Sequence, residues 1–285
     1  MTKGKVSILT PAYNAEKYLN TYFKTLREQT YKNFEIIFID DGSNDRTKEI
    51  VEEYTKNFEN EGIKLIYLYQ DNKGQASAIN IGLQYVMGEY LYWMDADDYL
   101  ENYALEKMVE FLNANPQYEF VKGRVRYVYE ENEETRTFEN HSDYEIENVM
   151  FENYLFDKNI ECYPGLIMVR TDFFDKRVKN RKIYESRGGQ NWQLILPITY
   201  KQKCKEINDI IYNYRVRKNS HSKAIEKSFK AKCDRYNEHR KILVNILRNM
   251  EYMPRLEKIK YIIMIYVKYF SIELKLNIKK LIMRK

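Results

Sequence analysis

Closely spaced aspartates follow an apolar run, and their spacing suits the binding of a divalent cation. Asp95, Asp97 and Asp98 come directly after EYLYWM. In an extended segment the first and third side chains project to the same side, so one carboxylate can bind a cation while another holds ribose or a metal-bound water. Such a cation would neutralise a diphosphate leaving group. The alternative is a turn in which Asp97 or Asp98 caps a helix that begins after Leu100.

A second acidic segment, DDGSND, follows the apolar run FEIIFI. The adjacent carboxylates of Asp40 and Asp41 repel each other unless one has a partner, and a ligand N–H such as uracil N3 is a suitable partner for Asp41. The alternative is again local, because Gly42 can make a turn and Ser43 or Asn44 can cap the next helix.

Two further loops follow apolar runs in the same half of the chain. After KVSILT, Pro11 restricts the preceding residue to extended conformations, and Tyr13 could stack on a base or simply pack. After IKLIYLY, Gly74 permits a close approach and Lys73 supplies a cation. The residues of these two loops that we expect at the site are Pro11, Ala12, Tyr13, Asn72, Lys73 and Gly74.

The apolar runs that precede these loops alternate with amphipathic helices, predicted near residues 15–28, 45–57, 75–87 and 102–113. This alternation is typical of an α/β fold with a parallel sheet, which binds ligands at the carboxyl ends of its strands. Farther on we expect strands near 119–129, 165–170 and 207–214 and a helix near 191–200. The predicted parts are a catalytic domain over 1–220, divided into a nucleotide-sugar half (1–113) and an acceptor half (114–220), and a helical extension over 221–285.

The helical extension has an apolar stripe and many lysines. Leu256, Ile259, Ile263, Tyr266 and Phe270 recur at intervals of three and four residues. This pattern favours a helix that lies on anionic lipid. Packing onto the catalytic domain or onto a partner chain, as in a homodimer, is the alternative.

The composition is that of a globular chain, and together with the absence of certain motifs it argues against several classes of protein. Hydrophobic residues make up 44% of the 285 residues, and the formal charge is +5. The three cysteines lie far apart, which indicates neither a zinc site nor a disulfide framework and favours the cytoplasm. No signal peptide or apolar run of about 18 residues is evident, so the chain is not expected to span a membrane. No GxGxxG follows the first strand, which disfavours a dehydrogenase, and no nucleic acid partner is expected.

Taken in order, VSILTPAYN, IIFIDDGSND, DNKGQASAINIGL and YLYWMDADDYL resemble the opening pattern of family 2 glycosyltransferases of the bacterial polysaccharide type, across about residues 5–101. The resemblance implies a GT-A, Rossmann-like fold with a mostly parallel central sheet flanked by helices. It also implies inverting transfer from a nucleoside diphosphate sugar, commonly a UDP-sugar, to a glycan or lipid-linked acceptor, with Mn²⁺ or Mg²⁺ as cofactor.

By position in that pattern, the resemblance assigns roles to the donor-site residues. Pro11, Ala12 and Tyr13 would contact the base and Asp41 would recognise it. Asp95 and Ala96 would lie on the ribose side, and Asp97 would bind the metal.

An inverting transfer needs a general base to deprotonate the acceptor hydroxyl. In the family an acidic pair just before an aromatic often supplies it, but the matching segment here has Asn191, and an amide is not a base at neutral pH. Gln190, Asn191 and Trp192 are expected on the acceptor side, where Trp192 could stack on a sugar ring or belong to the core.

The base therefore stays open at the level of sequence. Glu185 or Asp98 could supply it, or the protein could bind donor without efficient transfer. Glu185 could instead form an ion pair with Arg181 or Arg187.

A late basic segment, YNYRVRKNSHS, resembles the family's loop that covers the donor diphosphate. Arg215, Arg217 and His221 are the candidates in it, with His221 also a candidate metal ligand. Bonds from arginine to phosphate oxygens strengthen as a leaving group gains charge. The alternative is a solvated surface run.

Overall fold

The computed structural model describes residues 1–137, 144–158, 160–217 and 229–282. The strands are β1 (Thr2–Ala12), β2 (Phe34–Asp40), β3 (Lys64–Tyr69), β4 (Gly88–Trp93), β5 (Tyr99–Leu100), β6 (Phe120–Tyr129), β7 (Thr135–Thr137), β8 (Ile167–Arg170) and β9 (Lys205–Val216). The α-helices are α1 (Glu16–Arg27), α2 (Thr47–Asn60), α3 (Gln75–Leu83), α4 (Ala104–Ala114), α5 (Val149–Phe156), α6 (Thr171–Arg177), α7 (Gln190–Thr199), α8 (Phe229–Asn249) and α9 (Arg255–Ile282).

One sheet organises the molecule, with strand order β3-β2-β1-β4-β8-β6-β9-β5 and β7 paired to β6. The first four strands pair in parallel, with Ile8 opposite Ile36 and Leu9 opposite Trp93. This confirms the predicted α/β architecture and the parallel pairing of its first strands. The other half is mixed, because β8 runs antiparallel to both β4 and β6 whereas β9 runs parallel to β6.

The parallel half is covered by helices on its faces, as such a sheet requires. Every residue of β2 is buried. On α1, the predicted face of Leu19, Tyr22, Phe23 and Leu26 is fully buried. Burying each such side chain contributes about 1.5–3 kcal/mol, so this face fixes the helix against the sheet.

The structure also contains short elements that the sequence patterns did not reveal. They include α5, α6, β5 and β7. The short strand β5 pairs with β9 where a helix was considered, and α4 begins only at Ala104, without a side-chain cap. The alternative in which Asp97 or Asp98 caps a helix is therefore wrong.

The two C-terminal helices pack on the rest of the chain through a face that differs from the predicted stripe. On α9 the buried side chains are Tyr261, Ile265 and Tyr269. The stripe itself is exposed, to 82% at Leu256 and 64% at Phe270. The helical extension thus packs onto the rest of the chain, which was one of the alternatives, but it does so through its tyrosine-rich side and not through the predicted stripe. No helix among the described residues is long and apolar enough to cross a membrane.

Candidate donor and metal site

The loops that follow β1 and β2 are joined by hydrogen bonds. The Asn14 backbone N–H donates to Ser43 Oγ at 2.9 Å, and the Asn44 N–H donates to Asn14 Oδ1 at 2.8 Å. Neither Ser43 nor Asn44 caps α2, which begins at Thr47 with no side-chain bond at its cap residue. That alternative for the second loop is wrong, because both residues hold the first loop instead.

Asp41 fixes the loop after β3. Its carboxylate is buried and accepts the backbone N–H of Lys73 and of Gly74, each at 2.9 Å, together with the side-chain amide of Gln70. Asp40 has different donors, the Tyr67 hydroxyl at 2.7 Å and the Ser43 N–H at 2.8 Å. Protein groups thus stabilise both adjacent carboxylates, and recognition of a base by Asp41 stays a prediction.

Gly42 allows close contact between the loop after β2 and the loop after β3. Its φ is +78°, and a Cβ added there would lie 2.7 Å from the Asn72 backbone nitrogen. Only glycine fits this conformation and this contact. The close approach places the exposed side chains of Tyr13, Asn72 and Lys73 along one edge of the sheet, while Pro11 and Ala12 are buried at the end of β1.

The aspartates after β4 converge. Carboxylate oxygens of Asp95, Asp97 and Asp98 all lie within 4.8 Å of one another. The chain reaches this arrangement by a turn rather than by the extended segment we expected, since the Asp98 N–H approaches the Asp95 carbonyl at 3.4 Å. Ala96, at the centre of the turn, is buried.

This cluster concentrates negative charge in a partly buried place. Burial and the neighbouring Asp97 charge raise the pKa of Asp95 to about 7. Burial, with Asp97 and Asp95 beside it, also raises the pKa of Asp98 well above its ordinary value. A divalent cation would relieve this repulsion, and oxygen ligands are those that Mg²⁺ and Mn²⁺ prefer. The chemistry of these residues therefore fits a divalent cation, while the roles of Asp97 as its ligand and of Asp95 on the ribose side stay predictions.

Two arginines at the end of β9 close over the aspartates. Arg217 forms an ion pair with Asp97 at 2.5 Å. Arg215 donates from its backbone N–H to Asp98 at 2.8 Å and from Nε to the Asp97 carbonyl at 3.0 Å. Both guanidinium groups lie over the Tyr18 ring, at 5.3 and 5.4 Å. The structure thus brings Arg215 and Arg217 to the predicted site, whereas His221 lies outside the described residues.

Asp98 holds the end of β9 beside the acidic turn. It is buried, and its oxygens accept the Tyr212 hydroxyl and the Arg215 N–H. Its partners on β9 place the arginine-bearing strand end beside the turn, so its geometry is that of a positioning residue.

On the acceptor side, the predicted residues begin α7. Asn191 donates to the Cys162 carbonyl at 3.1 Å, and Gln190 is buried and donates to the Ser186 carbonyl. Trp192 is half-buried, with the His239 ring edge-on at 4.8 Å. Trp192 thus contacts α8, and the acceptor role of these three residues stays a prediction.

Glu185 is exposed, and none of the ion pairs between described residues involves it. The predicted pairing with Arg181 is wrong, because Arg181 pairs with Asp175 at 2.6 Å. The segment that carries Glu185 is anchored at Ile183, whose backbone exchanges hydrogen bonds of 2.8 and 2.9 Å with the Asn80 side chain on α3.

Sequence reasoning missed several residues that complete the site. Gln75 donates to Asp95 at 2.9 Å, and Tyr18 underlies the arginines. Tyr163 packs on Tyr214 with ring centroids 4.1 Å apart. Gln75 directly follows the recognised DNKG loop and Tyr214 adjoins Arg215, so their adjacency to motifs was the available signal.

An acidic turn below two arginines, at the carboxyl edge of an α/β sheet, defines a fold and site of the GT-A glycosyltransferase type. The chain belongs to glycosyl transferase family 2, whose model matches residues 7–178, more than half of its length.

Relatives and solved structures agree with this placement. An uncharacterized glycosyltransferase of Haemophilus influenzae is 40% identical over 115 residues, which is 40% of this chain and 45% of that protein. Glycosyltransferase GlyA of Streptococcus pneumoniae is 28% identical over 266 residues, 88% of this chain and 36% of that protein. The chain thus spans less than half of either relative's length.

S. aureus TarS 1–349 in complex with UDP-GlcNAc shares the fold, with a TM-score of 0.68 at 21% identity, over 94% of this chain and 73% of that one. The mannosyltransferase PcManGT from Pyrobaculum calidifontis, in complex with GDP-Man and Mn²⁺, gives a TM-score of 0.59 at 16% identity over 93% and 69%.

Proposed function

We propose that this protein transfers a glycosyl group, with inversion, from a UDP-sugar to a glycan or lipid-linked acceptor of a cell-surface polysaccharide. The observation that carries the proposal is the convergence of Asp95, Asp97 and Asp98 beneath Arg215 and Arg217. Family membership supports it, and so do the UDP-GlcNAc complex of TarS and the teichoic acid name of GgaB of Bacillus subtilis, which is 27% identical over 86% of this chain and 27% of that protein.

Each part of the site has a role in this reaction. Tyr13 offers an exposed ring for the base, and Asp41 holds the loop that carries Lys73. A divalent cation, Mn²⁺ or Mg²⁺, held by Asp95 and Asp97 would supply positive charge to the diphosphate as it leaves. Arg215 and Arg217 would donate to the phosphate oxygens.

The test is release of UDP from a panel of UDP-sugars in the presence of Mn²⁺ and a glycan acceptor. Asp97→Asn is expected to lower the rate by about 10²-fold or more, because one charge-stabilising group at a reacting centre contributes that much. Asp172→Asn is the matched control, since Asp172 is exposed and its contacts to described residues, an ion pair with Lys176 and a bond from the Phe173 N–H, lie on its own helix. UDP release that needs no added cation and is unchanged in Asp97→Asn would overturn the metal assignment.

We assign the general base to Glu185. Asp98 is buried with both oxygens accepting hydrogen bonds, and the amide of Asn191 donates to the Cys162 carbonyl. Glu185, in contrast, is exposed next to the first turn of α7. Glu185→Gln is expected to lower kcat by about 10²–10⁴-fold while UDP still binds, because a positioned base contributes that range. An unchanged kcat would exclude this role.

A second candidate is a protein that binds nucleotide sugar without turnover, and the amide at position 191 favours it. The two functions differ in one measurement. UDP-sugar binding with no UDP release, against every acceptor in the panel, would establish the second and exclude the first.

We further propose that the exposed stripe of α9 rests on an anionic membrane that carries the acceptor. Its apolar side chains adjoin the exposed Lys260 and Lys275, a combination that suits an interfacial helix. Sedimentation with phosphatidylglycerol vesicles should fall when Ile263 and Phe270 are changed to Asp, and should be unchanged for Met87→Asp, an equally exposed apolar residue outside this helix. Concentration-dependent dimerisation lost in the first variant, without vesicle binding, would assign the stripe to a homodimer instead.

A further inference from the structure

A cavity of about 570 Å³ lies where α7, α8 and α9 meet. Its wall also includes Asp157 and Cys162 from the segment that follows α5. The donor-site residues described above do not line it. Gln190, Asn191 and Trp192 do, so the residues predicted for the acceptor side open into this cavity.

The lining of the cavity carries an excess of positive charge. Lys232, Arg235 and Lys268 line it, and Asp157 is the one acidic side chain among its lining residues. No ion pair between described residues involves Lys232, Lys268 or Asp157. Lys268 donates to the Phe156 carbonyl at 2.8 Å, which does not neutralise its charge.

The first turn of α7 adds hydrogen-bond donors to the same wall. The helix begins after Gly189, at φ +70°, and no side-chain hydrogen bond from the described residues caps its start. A helix start of this kind favours negative charge. The indole N–H of Trp192 is also buried without a hydrogen-bond partner in the described part of the chain.

Burial in the cavity disfavours the cationic form of two lining groups. Burial, helped by the Arg235 and Lys268 charges, lowers the pKa of His239 to about 4. Burial is also the main cause of the lowered pKa of Lys268, while Asp157 opposes this shift and Lys158 adds to it. In both cases the protein disfavours the cationic form, and a bound anion would reverse this effect.

Side chains in contact link the wall of the cavity to the donor site. Cys162 lines the cavity, and the adjacent Tyr163 packs against Tyr214, the neighbour of Arg215 on β9. The segment that forms this wall therefore also packs against the strand that carries the donor-site arginines.

We propose that this cavity binds a phosphate group of the acceptor, through Lys232, Arg235 and the first turn of α7. The identity of the occupant as acceptor rests on the proposed glycosyl transfer, whereas the anion site itself does not. Polar donors and cations suit a phosphate ester, and the aromatic rings of Trp192, Tyr236 and Tyr269 suit the polyol or sugar next to it.

The experiment is a titration of the full chain with sn-glycerol 3-phosphate, and with glycerol as the uncharged probe, without donor or metal. Tryptophan emission is the readout, because the chain has 2 Trp and the other one, Trp93, is buried in the core. Saturable binding of the phosphate ester, not of glycerol, is expected, with a signal that Trp192→Phe removes.

Charge variants on α8 decide whether the cavity is the site. Lys232→Gln should weaken binding about tenfold, as the loss of one charge-assisted hydrogen bond does, and Lys232→Gln with Arg235→Gln should weaken it further. Lys230→Gln with Lys241→Gln is the matched control, since both are exposed on the same helix and neither lines the cavity. A parallel titration with phosphatidic acid vesicles distinguishes a lipid phosphate from a soluble polyol phosphate. Lys232→Gln should weaken binding of whichever of the two ligands occupies the cavity.

The proposal is overturned if Lys232→Gln, alone and with Arg235→Gln, binds sn-glycerol 3-phosphate as tightly as the native protein does. It is also overturned if the native protein binds glycerol as tightly as sn-glycerol 3-phosphate. The single Lys232→Gln variant keeps the test valid if the double variant does not fold. Phosphate binding without UDP release would reject the glycosyl transfer and leave the anion site in place. UDP release without phosphate binding would reject the anion site and leave the glycosyl transfer in place.

Discussion

Replacing Arg217 with glutamine should make the protein bind Mn²⁺ more tightly in the absence of nucleotide. Arg217 forms its ion pair with Asp97, the carboxylate that we assign to the cation, so the guanidinium and the cation compete for one group. Glutamine keeps much of the length and polarity of the side chain but removes its charge.

The size of the effect follows from the exposure of the pair. The side chains are 35% and 19% exposed at an N–O distance of 2.5 Å. An ion pair of this exposure contributes about 1 kcal/mol, the upper end of the range for surface pairs. Since about 1.4 kcal/mol is a factor of ten, removing it should raise Mn²⁺ affinity about fivefold.

The assay is a calorimetric titration with Mn²⁺, followed by UDP at saturating Mn²⁺. UDP should bind about tenfold more weakly to Arg217→Gln, because a charge-assisted bond to a phosphate oxygen is lost. Arg27→Gln is the matched control, since Arg27 forms an ion pair with Glu61 at the same 2.5 Å distance but at the ends of α1 and α2. Mn²⁺ affinity that is unchanged or weaker in Arg217→Gln would refute the competition.

Two other predictions concern buried charge. Lys122 is fully buried and pairs with Glu206 and with Glu161, so Lys122→Met should lower the free energy of unfolding in urea by about 3–5 kcal/mol. Adding Glu206→Gln should recover part of this loss if the missing Lys122 charge beside that carboxylate, which also pairs with Arg124, is the cause. His239, beside Arg235, Lys268 and Asp157, has its pKa lowered to about 4, so the unfolded chain binds more protons between that value and about 6.5 and stability should fall as pH falls through this window. His239→Gln should flatten that part of the urea stability profile, and a profile as steep as that of the native protein would contradict the assignment.

The parallel half of the fold could be predicted because its signals are local. Apolar runs such as FEIIFID bury every residue, and the face of α1 from Leu19 to Leu26 repeats with the helical period. The short elements, among them α5 and β5, are too brief to show a period. Contacts with distant parts of the chain decide them, as pairing with β9 does for Tyr99 and Leu100.

The α9 stripe is a second feature whose position the local sequence pattern does not decide. Its period correctly predicted a helix, but two apolar faces share that period, and the sequence does not say which one packs inward. Tyr261 is buried because its hydroxyl bonds to Asn148 and Glu152, which lie more than a hundred positions earlier in the chain. Leu256 has no such partner and is exposed.

For the candidate site, the sequence by itself determined which chemical groups end each strand: the carboxylates at 41, 95, 97 and 98 and the arginines at 215 and 217. The tertiary structure decided what those groups contact. In the structure Asp41 accepts a backbone N–H of the next loop, and Asp98 accepts the backbone N–H of Arg215. The tertiary structure also placed Arg217 on Asp97 and the start of α7 in a basic cavity. The physical reason is that residue type fixes charge and donor capacity, whereas distance and burial, which decide how charges interact, depend on strands far apart in the chain.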